Sequence, residues 1–99
     1  MIAHAVSFTW TPETTEADVA GVTDALRAMA ASLPFLVSYE CGPNLRLRPS
    51  TADFGVLAVV RDAGDLDRYL DGPEHAAVQR DWLSRMIATR VGMQLEIER

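Results

Sequence analysis

The sequence predicts an α+β fold in which one four-stranded sheet carries helices on one of its faces. Three observations predict it. Four segments alternate large and small side chains or run densely in β-branched residues. Three others repeat apolar residues every three or four positions. Their order along the chain is βαββααβ. With the last two helices acting as one crossover, that order describes a ferredoxin-like unit. The 99 residues leave room for one domain, taken to span 1–99.

Ile2, His4, Val6, Phe8 and Trp10 alternate with Ala3, Ala5, Ser7 and Thr9. This first strand puts large residues on one face and small ones on the other. Both faces are fairly apolar, so both are expected to be covered. Thr11-Pro12 ends it. Thr15 stands three residues before Asp18, a capping box with Asp in place of Glu. Val19, Val22, Leu26, Met29 and Leu33 follow at helical spacing, and Pro34 closes the helix. Phe35 to Cys41 reads as the second strand, broken by Gly42-Pro43. Asn44 to Ala52, with Arg46 and Arg48, reads as a solvated loop, or alternatively as a gate that attracts carboxylates.

Phe54 to Arg61 reads as the third strand. Leu66, Tyr69 and Leu70 mark a short helix that stops at Gly72, and Pro73 suits the first position of the next. There His75, Val78, Trp82 and Met86 form a stripe. The fourth strand runs from about Arg90 to Glu98. Val91, Met93, Leu95 and Ile97 share one face; Gly92, Gln94 and Glu96 share the other. No element of the chain remains to cover the first of these faces, which predicts a second copy as its partner.

Composition narrows the function. Hydrophobic residues make up 48% and charged residues 23%, a globular profile. A net charge of -5 lacks the basic footprint of a nucleic-acid binder and gives no support for an anionic membrane surface. The start of the chain lacks a signal-peptide pattern, and no apolar run approaches the roughly 20 residues of a membrane span. A cytoplasmic location is expected. Cys41 is the lone cysteine and reads as a small buried residue. Two histidines without cysteine partners fall short of a three-ligand metal set, and there is no glycine-rich phosphate loop. Neither metal nor cofactor is expected.

The His-containing first strand, Met1 to Phe8, resembles that of the stress-responsive α/β-barrel (Dabb) family. So do the segment Thr11-Pro12-Glu13-Thr14-Thr15-Glu16 and the final Gln94-Leu95-Glu96-Ile97. The most specific match is Tyr69-Leu70-Asp71-Gly72-Pro73-Glu74-His75, a Tyr followed six residues later by His. The resemblance covers essentially the whole chain. It implies a dimeric α+β barrel in which two sheets close face to face. One member, the plant olivetolic acid cyclase, closes a polyketide ring by aldol condensation without a cofactor. Its catalytic Tyr and His match Tyr69 and His75, and its first-strand His matches His4. Two departures stand out. An acidic residue that supports its catalytic His is replaced by Gln94, and the aromatic residues of its first helix are replaced by Val22 and Leu26.

Residue chemistry gives each candidate a role and a plainer alternative. His75 at a helix start is kept neutral by the positive helix end and can accept a proton; alternatively it packs beside Val78. Tyr69 can donate to a carbonyl or enolate oxygen, or simply pack with Leu66 and Leu70. His4 can position a substrate, or be a satisfied core histidine. Val6, Phe8, Tyr39 and Trp82 are expected to wall the cavity, and Gln94 to orient His75.

Three functions are compatible with this reading. The first is a cofactor-independent acid–base enzyme, cyclase-like, acting on a small, partly apolar carbonyl compound. The second is a non-catalytic stress-related dimer that binds a small hydrophobic ligand. The third is a cofactor-free or haem-related α+β barrel monooxygenase.

Overall fold

In the computed structural model, which describes residues 1–98, the chain runs β1 (Ile2–Trp10), α1 (Glu16–Ala31), β2 (Ser38–Pro43), β3 (Phe54–Val60), α2 (Ala63–Leu70) and α3 (Pro73–Val78). A π-turn (Gln79–Leu83), α4 (Ser84–Met86) and β4 (Ile87–Glu96) complete it. The strands form one antiparallel sheet in the order β2-β3-β1-β4. This is the ferredoxin-like βαββααβ unit, with the segment from Pro73 to Met86 acting as one bent crossover.

Register assigns the faces. On the helix side, Tyr39, Ala58, His4 and Gln94 form one cross-strand row. Cys41, Val56, Val6 and Gly92 form the next row, and Pro43, Phe54, Phe8 and Arg90 the third. Val22, Leu26 and Met29 of α1, Tyr69 of α2, Val78 of α3, and Leu83 and Met86 close over Phe8, Phe54, Val56 and Ala58 as a single buried core. The Thr15–Asp18 capping box starts α1. The Thr15 hydroxyl accepts from the Asp18 amide and the Asp18 carboxylate accepts from the Thr15 amide, each at 3.1 Å.

Three boundaries depart from the sequence reading. The second strand begins at Ser38 and continues through Gly42-Pro43 rather than breaking there. β2 is an edge strand, and a proline at its end costs no ladder bond on the open side. The fourth strand starts at Ile87, three residues earlier than Arg90. The expected stripe of His75, Val78, Trp82 and Met86 is interrupted by the π-turn, which inserts one residue into the helical spacing. Leu83 therefore turns into the core, and the ring of Trp82 lies against α1 at Gly21.

The helices do not reach β4, where every residue from Ala88 to Glu96 is exposed. On the opposite face of the sheet Leu57, Val91, Met93 and Leu95 stand 44%, 67%, 53% and 49% exposed. Isolated exposed apolar residues are ordinary, but four on one sheet face make a patch. The small Ala5 and Ser7 lie between them in register.

Gly21 tests the packing of α1 on the crossover. Alanine in a helix ordinarily gains roughly 1 kcal/mol over glycine. Here a Cβ would overlap the Trp82 ring. Overpacking costs about 1–3 kcal/mol, so Gly21→Ala is expected to lower stability in chemical denaturation. Pairing it with Trp82→Leu should recover part of the loss. A Gly21→Ala variant more stable than wild type would contradict this packing.

Candidate functional site

Tyr69 is placed by two short helices and the glycine between them. α2 opens at Asp62, whose carboxylate accepts from the Asp65 amide at 2.8 Å. It buries only Tyr69. At Gly72 any Cβ would sit 2.7 Å from the Arg68 carbonyl oxygen, so only glycine lets α3 start this close to the end of α2. The short link brings His75 back onto Tyr69. Their ring centroids are 5.2 Å apart and the rings stand edge to face at 88°.

The Tyr69 ring also meets His4 at 6.3 Å and Tyr39 at 6.2 Å, both edge to face. Tyr69 is thus the hub of a cluster of two phenols and two imidazoles. Beside it lies a partly open cavity of about 140 Å³. His4, Val6, Phe8, Tyr39, Tyr69 and His75 all line it, with Leu26, Leu83, Gln79 and Arg90 among the other walls.

Two expected residues stand elsewhere. Trp82 is absent from the lining, because the π-turn gives its place to Leu83. Gln94 does not reach His75. Register sets it opposite His4, and its amide nitrogen lies 2.9 Å from His4 Nδ1. With the amide donating there, the neutral His4 ring carries its proton on Nε2. No group among the described residues hydrogen-bonds the His75 ring. The Tyr39 hydroxyl is fully buried without a hydrogen-bond partner among the described residues.

Burial keeps the cluster uncharged. It is the main cause lowering the pKa of both His4 and His75 below 6.5. For His75 the charge of Arg90, and that of His4 whenever it is protonated, add to it, while Asp71 opposes. Burial likewise raises the phenols of Tyr39 and Tyr69, the neighbouring ring of Tyr69 adding to the rise at Tyr39. Near neutral pH the cavity therefore presents protonated phenols and neutral imidazoles, a hydrogen-bond donor beside a proton acceptor.

Sequence reasoning missed Arg90, Gln79 and Leu83. Arg90 was legible: positions 90, 92 and 94 share one face of a strand, but a strand taken to begin at 90 leaves that residue at its frayed end. Gln79 stands four residues after His75 on the same helix face, a spacing left unused, and Leu83 reaches the cavity through the π-turn, for which the sequence carries no signal. Arg46 is tied to Asp53 by an ion pair in the loop after β2, and neither Arg46 nor Arg48 lines the cavity.

A larger groove, about 690 Å³, runs along α1 past Val19, Thr23, Asp24 and Arg27 to Pro43. It is open and is lined by neither histidine nor tyrosine. Among the described residues no three His, Cys, Asp or Glu side chains gather as a metal site, and no helix is long and apolar enough to cross a membrane.

The sequence model of the Stress responsive A/B Barrel Domain matches residues 2–97. The chain belongs to that family. A dimeric ferredoxin-like protein of unknown function from Thermobifida fusca is 31% identical, with a TM-score of 0.89 over 97% of this chain and 90% of that one. The hydroxynitrile lyase of Passiflora edulis is 10% identical, with a TM-score of 0.83 over 98% of this chain and 93% of that one. An uncharacterised Streptomyces coelicolor protein is 39% identical over 64 residues, and the match spans 65% of this chain and 65% of that relative. These likenesses show the ferredoxin-like fold and do not assign the chain a reaction.

The lowered histidine pKa values bear on stability. A histidine whose folded pKa lies below its unfolded value binds more protons when unfolded. Its contribution is present above about pH 6.5 and is lost as pH falls through the folded value. Stability should therefore decline on acidification below 6.5, and NMR titration should show both rings more than half neutral at pH 6.5. A histidine that titrates above 6.5, or stability independent of pH there, would contradict the burial described.

Proposed function

We propose that the protein is a cofactor-independent acid–base enzyme that moves a proton at a carbon beside a carbonyl of a small, partly apolar compound. The observation that carries the reading is the cluster around Tyr69, with His75 at 5.2 Å, opening on a small, largely apolar cavity. The Tyr69 phenol donates to the carbonyl oxygen, and the neutral His75 accepts the proton from the adjacent carbon. The enolate is held by the phenol while a carbon–carbon bond forms or breaks. His4, fixed by Gln94, orients the substrate from the sheet side. Ring closure of the aldol type, as in a cyclase, is one outcome of this chemistry. A cavity of about 140 Å³ favours a short carbonyl compound over an extended chain. It is close to the ~150 Å³ that accommodates benzene.

One observation favours a second reading, non-catalytic binding of a small hydrophobic ligand. No carboxylate hydrogen-bonds the His75 ring among the described residues, and Asp71 alone favours its charged form against burial and Arg90. Both readings use the same cavity, and proton transfer separates them. The neutral probe methyl 2-methyl-3-oxobutanoate carries one exchangeable proton between two carbonyls. Wild type is expected to accelerate its exchange with deuterated water, followed by NMR. His75→Ala should lower that acceleration about 100-fold. Tyr69→Phe should lower it about tenfold or more with binding retained. Exchange equal in all three proteins would replace the enzyme reading with the binding one.

We further propose that the active form is a homodimer closed through the face bearing Leu57, Val91, Met93 and Leu95. The exposure of these four residues supports it, as does the dimeric state of the Thermobifida relative. Leu95→Asp would place an unpaired charge in that interface, a substitution of the kind that costs about 3–5 kcal/mol. Sedimentation should show a dimer for wild type and a monomer for the variant. A wild-type monomer at micromolar concentration would contradict this assembly.

A further inference from the structure

The cavity is not uniformly apolar at its rim. Arg90 is the one cation among its lining residues. Register places it opposite Phe8 on the helix side of the sheet, with its guanidinium 5.7 Å from the Phe8 ring centroid. One terminal nitrogen donates to the Gln79 side-chain oxygen at 3.1 Å. A guanidinium has five N–H donors, so this bond fixes the side chain and leaves most of the fork unused.

Charge pairing sharpens the point. Arg46, Arg80 and Arg85 each pair with an aspartate, at Asp53, Asp81 and Asp18, while Arg27, Arg48, Arg61, Arg68 and Arg90 form no ion pair among the described residues; of these five only Arg90 lines the cavity. Among the described residues no carboxylate lies within ion-pair distance of Arg90. The chain carries a net charge of -5, so acidic residues are plentiful. The cavity lining itself contains no Asp or Glu. A guanidinium steadied by an amide and an aromatic face, and left without an anion at the mouth of an apolar cavity, matches a carboxylate in charge and geometry.

We propose that the substrate carries a carboxylate and that Arg90 selects it. The cavity takes a small oxo-acid whose carboxylate meets the Arg90 guanidinium while its carbonyl lies between Tyr69 and His75. This deepens the acid–base reading and rests on it for the role of the carbonyl. It also answers the missing partner of His75. The charge of Arg90 acts against protonation of His75 in the empty cavity. A bound carboxylate offsets that charge, so the imidazolium formed by proton uptake becomes easier to hold. The substrate would supply the counter-charge that the final strand, with Gln94 bonded to His4, does not.

The test uses an isosteric pair, 4-oxopentanoate and hexane-2,5-dione, which differ by a carboxylate oxygen against a methyl group. Calorimetry or ligand-detected NMR on the wild-type protein should show 4-oxopentanoate binding about tenfold or more tighter. That preference should shrink with added salt, since Arg90 is solvent-exposed. Arg90→Gln should abolish the preference by weakening 4-oxopentanoate far more than hexane-2,5-dione, and Arg90→Lys should keep part of it. Circular dichroism checks that the variants fold. Equal binding of the two probes to wild type, no binding of 4-oxopentanoate, or a preference that survives Arg90→Gln would each overturn the proposal. The two readings fail separately. Exchange of the neutral ester depends on His75 whether or not Arg90 selects anions, and the probe preference is read without turnover.

Discussion

The register of β1 between β3 and β4 is the constraint on which the rest of the structure depends. It lines up His4 with Ala58 and Gln94, Val6 with Val56 and Gly92, and Phe8 with Phe54 and Arg90. Two of those positions hold almost no side chain. Ala58 leaves the space across which Tyr39 and His4 both approach Tyr69, and Gly92 leaves the wall open beside Val6. A one-residue slip would turn His4 and Arg90 to the opposite face and put Ala5 and Met93 under the helices. Core, cavity and open face are therefore fixed together.

The helices complete what the sheet begins. Tyr69 is held between the sheet, where its ring meets His4 and Tyr39, and a short link at Gly72, so the distance between its ring and that of His75 is set by backbone packing. Burial then does the electrical work, keeping imidazoles and phenols neutral without help from a carboxylate. The same sheet has a second, apolar face that the chain leaves bare. A domain of this size buries a limited share of its surface, and pairing of two such faces extends the core without touching the cavity on the other side.

Much of the fold was legible because its signals are local. The alternation from Ile2 to Trp10, the Thr15–Asp18 box and the Gly72-Pro73 junction each state a conformation within a few residues. The Tyr69–His75 spacing was also readable as a candidate pair. What escaped depends on neighbours distant in sequence. Pro43 is allowed in β2 only because that strand is an edge. The partner of Gln94 is decided by strand register, which pairs it with His4, ninety positions away. The π-turn that exchanges Trp82 for Leu83 answers to the close approach of α1 at Gly21, a tertiary demand that no periodicity displays. Arg90 was overlooked for a simpler reason: its strand starts three residues earlier than the alternation alone suggests.

The central claim is that a small carbonyl compound lies against Tyr69 and His75 in the smaller cavity rather than in the wider groove along α1. The most direct measurement is a set of intermolecular nuclear Overhauser effects from the methyl groups of bound methyl 2-methyl-3-oxobutanoate. Contacts to the ring protons of Tyr69 and His75 and to the methyls of Val6 are the predicted result. Contacts instead to Val19 and Thr23, or to Leu57 and Met93 on the open face, would contradict the account.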